Sequence, residues 1–184
     1  MKKFTLIALS TLFLSNAVLA DDYAGHRLGA GYQGGKLSLD SSAKQSTKLS
    51  DSESAKIEYG YDFNRIFSLN AGGTVGRGHS ELSGEKEKFN KSSLFAEAEL
   101  GYAFEVGNFD IKPYAALGVS ANFDDIKLDK ADGKNHTAAG VHAAVGARLN
   151  TPVGVYVDGR VQNGKVKDRH IEETQGTITV GYKF

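Results

Sequence analysis

Glu97 and Glu99, two residues apart in SLFAEAELGYAF, and His142 in AAGVHAAVGARL are the side chains of this sequence best suited to moving protons. Two carboxylates and an imidazole brought together would form a general acid/base set, and the string His79-Ser80-Glu81 offers a hydroxyl nucleophile with a base and an acid beside it. The spacing argues against both. Consecutive residues of an extended chain do not face one another, so 79–81 reads as solvated loop. His136 and His170 are isolated in polar stretches, and no HxxE or HExxH spacing marks a metal site. DDIKLDKADG has the acidity of a calcium loop, but Lys130 stands where that pattern requires Asp or Asn; its Asp132-Gly133 is a hairpin-turn pair. With no cysteine, thiol catalysis and disulfides are excluded. No catalytic residue, metal or cofactor is expected, and a net charge of zero gives nucleic acid nothing to bind.

What positions Glu97 and Glu99 is a strand. In residues 93–104, Leu94, Ala96, Ala98, Leu100, Tyr102 and Phe104 alternate with Phe95, Glu97, Glu99, Gly101 and Ala103, a period of two that separates an apolar face from a polar one. The same alternation runs through 54–63, 66–78, 111–123, 138–149, 153–162 and the terminal GTITVGYKF (176–184). Residues 26–39 follow it with a parity shift that predicts a bulge at Gly34-Gly35. Eight strands allow an antiparallel up-and-down meander to close into a barrel. The connections alternate in length: short near 64–65, 105–110 and 150–152, long and hydrophilic over 40–53, 80–91, 124–137 and 163–174. Such alternation is a mark of transmembrane β-barrels.

The first twenty residues differ from the rest. MKKFTLIALSTLFLSNAVLA has two lysines, an apolar run from Phe4 to Leu14 and a small-residue end, the pattern of a cleavable signal peptide, with cleavage expected after Ala20 and a barrel domain over 21–184. No later stretch is long and apolar enough for a transmembrane helix.

Alternation alone does not say which face meets which solvent, because a soluble ligand-binding barrel carries its apolar face inside. The contents of the faces decide. The polar face is rich in Gly, Ser and Asn and carries Glu58, Glu97, Glu99, Lys112, His142, Arg148, Asp158, Arg160 and Lys183, which suits a narrow, charge-balanced lumen. The other face is nearly free of charge, as hydrocarbon demands. Tyr61, Phe63, Phe67, Tyr102, Phe104, Tyr182 and Phe184 gather at the short-turn ends of their strands, an interfacial girdle. The acids and bases of the lumen are therefore expected to pair with one another, Glu97 and Glu99 with Arg160 among them, rather than to catalyse.

The terminal strand, with Ile178, Val180 and Tyr182 alternating toward a final Phe184, resembles the C-terminal signal of outer-membrane barrels. VGYKF is similar to the endings of the small OmpX/Ail and OmpA-type barrels. The resemblance implies assembly by the barrel-assembly machinery with periplasmic chaperones, an outer-membrane location in a Gram-negative bacterium with periplasmic termini, and lipid and lipopolysaccharide as neighbours. It also implies a monomer with an envelope-structural role and surface attachment through the long loops. No counterpart of the peptidoglycan-binding domain of full-length OmpA is expected, and cell-wall tethering is not part of what the resemblance implies. A small low-conductance pore is the alternative; a lipid A-modifying enzyme and a soluble periplasmic barrel are more remote ones.

Overall fold

The computed structural model describes residues 23–39, 48–82, 85–125, 136–166 and 171–184. They form strands β1 (Gly25–Leu39), β2 (Lys48–Asp62), β3 (Phe67–Leu82), β4 (Glu85–Gly101), β5 (Phe104–Val106), β6 (Phe109–Asp125), β7 (His136–Asn150), β8 (Val155–Val166) and β9 (Ile171–Lys183). Each long strand pairs antiparallel with its neighbours in sequence, β4 pairs with β6, and β1 pairs with β9, so the sheet closes. The three-residue β5 extends the β4 side of the β4–β6 pairing after a break at Tyr102-Ala103. The result is an eight-stranded antiparallel up-and-down barrel.

Its burial is the reverse of a soluble protein's. Leu28, Ile57, Leu94, Leu117, Val145, Val161, Ile178 and Val180 are exposed on the outside, whereas Arg27, Lys56, Glu97, Glu99, Lys112, Arg148 and Asp158 are buried within. Among the described residues the buried apolar cluster is only Tyr114, Ala116 and Ala144. Large apolar side chains do not stay out of contact with other apolar matter in water, and charges are not buried without partners; both observations fit a hydrocarbon surround.

Two expectations change. Of the hydrophilic stretches, 80–91 and 163–174 are largely strand rather than loop, and the described parts of 40–53 and 124–137 (48–53, 124–125 and 136–137) are strand as well: β3 and β4 stay paired to Leu82↔Glu85, and β8 and β9 to Val166↔Ile171. Ladder hydrogen bonds need no apolar side chain, so polar strands continue beyond the apolar band. The irregularity of β1 lies not at Gly34-Gly35, which pair regularly with Glu53 and Ser52, but between Lys36 and Leu37, where β2 carries the extra residue. Residues 40–47, 83–84, 126–135 and 167–170 lie outside the described set, and with them the Asp132-Gly133 turn, most of the calcium-like stretch and His170.

At the other end the turns are tight. Asn64 Oδ1 accepts hydrogen bonds from the backbone N–H of Ile66 and Phe67, each at 2.8 Å. Gly107 (φ 66°) and Gly154 (φ 84°) take left-handed conformations that their turns require. Hereafter these turns mark the turn end of the barrel, and the hydrophilic hairpins the loop end.

Inward glycines make room for large neighbours. A Cβ on Gly181 would collide with the ring of Tyr156, which is fully buried, whereas one on Gly176, facing outward, meets open space. Gly181→Val is expected to lower stability by about 1–3 kcal/mol through overpacking, and Gly176→Val far less. Urea unfolding of the two variants in lipid vesicles checks this; equal costs would contradict the packing described.

Candidate functional site in the barrel lumen

Every inward position along a strand is fixed by parity, so the lumen is built from alternate residues of all eight walls. Glu97 and Glu99 on β4 point the same way but take different partners. Arg160 from β8 donates Nη1–H to Glu97 Oε1 at 2.5 Å, and His142 Nε2 from β7 lies 3.1 Å from Glu97 Oε2. Glu99 receives a two-pronged pair of hydrogen bonds from Arg148, at 3.0 and 2.7 Å, and also has Lys112 Nζ at 3.1 Å. Glu99 is thus paired with Arg148 rather than with Arg160.

The network continues in both directions. Arg148 reaches Asp158 at 3.1 Å, and Tyr114 donates its hydroxyl to the other Asp158 oxygen at 2.7 Å. Toward the turn end Arg27 and Lys183 meet Asp62 at 3.1 and 3.0 Å, and Ser68 donates to Asp62 while accepting from Lys112. Toward the loop end Lys56 pairs with Glu58, and both Lys56 and Arg160 face the ring of Phe95, 5.0 and 5.8 Å from its centroid. Arg27, Lys56, Asp62, Ser68, Asn70, Tyr114 and Tyr156 belong to this assembly, although sequence reasoning did not single them out as site residues. The available signal was their place on the polar face of each strand: Lys56 and Asp62 share the parity of Glu58, Tyr114 that of Lys112, and Tyr156 that of Asp158 and Arg160.

Among the described residues each lumen carboxylate of this network has a cation within ion-pair distance, and that mutual pairing lets charge stand in the centre of the molecule. As an acid/base device the cluster is poorly placed. Glu97 is engaged by Arg160 and His142 at once, and Glu99 is fully buried. Above it lies a cavity of about 50 Å³, lined by Gln33, Thr74, Ser93, Asn122, His142, Arg160 and Gln175 among others, which has room for a few waters. The salt bridge of Lys91 with Glu173, at 2.6 Å, crosses its upper end between β4 and β9, strands on opposite sides of the barrel. His79, Ser80 and Glu81 lie on β3, and His136 opens β7; their side chains fall outside the described set. Among the described residues no group of His, Asp and Glu is arranged to hold a metal.

On the outside, aromatic rings follow one another around the turn end. Tyr182, Phe184, His26, Tyr61, Phe63 and Phe67 form successive contacts with centroids 6.5, 5.8, 4.8, 4.8 and 5.3 Å apart, and Tyr102 meets Phe104 at 4.9 Å. His26, whose Nδ1 lies 2.6 Å from the Tyr59 hydroxyl, was not anticipated in this band. Its backbone N–H and C=O both bond to Phe184, at 2.9 Å each, where the first strand meets the last. Ile178, Val180, Tyr182 and Phe184 all project outward.

A sequence model of the outer membrane protein beta-barrel domain matches residues 4–184. The chain belongs to this outer-membrane barrel family. Solved structures agree on the fold. Neisserial surface protein A, from Neisseria, is 19% identical, with a TM-score of 0.60 over 86% of this chain and 97% of that one. The outer membrane protein OprG of Pseudomonas aeruginosa is 15% identical, with a TM-score of 0.59 over 88% and 97%. Ail, the attachment invasion locus protein of Yersinia pestis, solved with the heparin analogue sucrose octasulfate, is 15% identical, with a TM-score of 0.58 over 88% and 99%. Among curated protein sequences none matches this chain significantly. Membership of the outer-membrane barrel family explains the inverted burial: the exposed Leu, Val and Ile face lipid, and the ionic network replaces an apolar core.

Proposed function

We propose that this protein is a non-enzymatic outer-membrane barrel that strengthens the envelope and presents its hydrophilic hairpins for surface attachment. The observation that carries the reading is the lumen: among the described residues, paired charges fill it from Asp62 to Glu97, and both Glu97 and Glu99 are buried against arginines. What remains for specific recognition is the loop end, where strands of Ser, Lys, Asp and Glu extend past the apolar band. In this reading residues 1–20 are removed after export, both termini are periplasmic, and Ile178, Val180, Tyr182 and Phe184 serve the assembly machinery before they face lipid. The girdle of Tyr61, Phe63, Phe67, Tyr102, Phe104, Tyr182 and Phe184 marks the inner interface, and lipopolysaccharide surrounds the loop end. Attachment to a host or surface polymer is the finer part of the proposal; Ail, a barrel of the same fold, was solved with a heparin analogue.

The cavity above Arg160 favours a second reading, a small pore, because it brings water to within one salt bridge of the network. One set of strains separates the two: deletion of each hydrophilic connection, and neutralisation of Glu97 or Arg160, followed by adhesion, envelope-permeability and planar-bilayer measurements. The surface reading predicts that loop deletions abolish adhesion while all variants stay non-conducting. Steady conductance in the unaltered protein that changes on neutralising Glu97 would overturn it in favour of the pore.

A further inference from the structure

Tyr23 stands just before β1 and yet is buried. Its hydroxyl donates to Glu105 Oε1 on β5 at 2.6 Å and lies 3.3 Å from Asp110 Oδ1 on β6. By strand order β6 is diametrically opposite β1, so the side chain extends over the turn-end mouth to meet side chains that reach in from the far wall. It is held along its length. The Arg65 guanidinium lies 4.0 Å from the ring centroid and donates to the same Glu105 oxygen at 2.7 Å, while Lys183 donates to the Tyr23 carbonyl at 2.6 Å. On the lumen side of it Asp62, Ser68 and Lys112 are buried.

We propose that Tyr23 is a lid that closes the turn-end mouth, leaving the lumen a blind vessel reached only from the loop end. A hydroxyl shared with a carboxylate and a ring beneath a guanidinium give a crossbar fixed at both ends, which a loop passing by would lack. Burial first, and then the bond to Glu105, push the Tyr23 phenol above its usual range, so it remains a neutral donor through neutral and mildly alkaline pH. The contribution is present below the ordinary tyrosine value near ~10 and is lost as pH rises beyond it. The inference stands apart from the surface role proposed above.

The chain has no cysteine, so Ser68→Cys supplies a single reporter behind the lid. A charged, membrane-impermeant thiol reagent applied to the folded protein in detergent should label it slowly. Adding Tyr23→Ala should raise the rate by about tenfold or more, and Tyr23→Phe, which keeps the ring under Arg65 but loses the bond to Glu105, by less. A Gln175→Cys reporter at the far end of the lumen should label at the same rate with and without Tyr23. Unchanged labelling at Ser68→Cys, or an equal rise at both reporters, would overturn the lid. Heat-modifiable gel mobility confirms folding, and should Tyr23→Ala fail to fold, Tyr23→Phe and Glu105→Gln decide by the same criterion.

Discussion

Glu99→Leu is expected to destabilise the barrel by about 3–5 kcal/mol, the cost of leaving buried cations without their counter-charge. Glu99 is fully buried, accepts both prongs of Arg148, contacts Lys112 at 3.1 Å and lies 3.9 Å from Arg27. Among the described residues, Asp62 and Asp158 are the carboxylates that would remain within ion-pair distance of those three cations. Leucine has the volume to fill the space, so the loss would report charge rather than a void. Equilibrium urea unfolding in lipid vesicles measures it, and a Glu99→Leu/Arg148→Leu double variant should recover part of the loss, because the pair costs less to remove together than singly. A cost below about 1 kcal/mol would mean that water reaches the network and screens it.

The second large effect belongs to the outer face. Leu117 is 70% exposed and lies midway along β6, paired with Ala98 and Ala143. Leu117→Arg is expected to cost about 2–4 kcal/mol in a bilayer, the penalty of a guanidinium at the midplane, while Val106→Arg at the turn end should cost about 0–1 kcal/mol. Were this face in water, either change would be nearly neutral, as substitutions at exposed positions usually are. The contrast between the two positions, measured by the same unfolding assay, separates a depth-dependent solvent from a uniform one.

These two faces were legible in the sequence because a strand's period is exact where one side must be apolar: Ile178, Val180 and Tyr182 alternate with Thr177, Thr179 and Gly181 without a slip. The pairing inside was not. Glu99 could have met any base of the lumen, and only the register, with Ala98 opposite Leu117 and Ala116 opposite Ala144, brings Arg148 to it. Inward glycines looked blank for the same reason. Gly29 and Gly118 are the spaces that Tyr156 and His142 fill from other strands, a complementarity that one strand alone does not reveal. Arg27 was passed over in HRLGAGYQGG, where glycine on the polar face blurred the alternation. The strand ends were misjudged because Lys48–Ser54 and Glu85–Lys91 carry no apolar face. Their backbones pair all the same, with Gln33–Ser38 and Gly76–Leu82 respectively.

The account rests on lipid meeting the outer wall, and the absence of tryptophan from this chain gives a direct probe. In Leu117→Trp, folded into vesicles, the single indole should emit at short wavelength, be quenched strongly by lipids brominated deep in the acyl chain, and be untouched by aqueous iodide. Quenching by iodide with no response to deep bromine would place that wall in water and contradict the account.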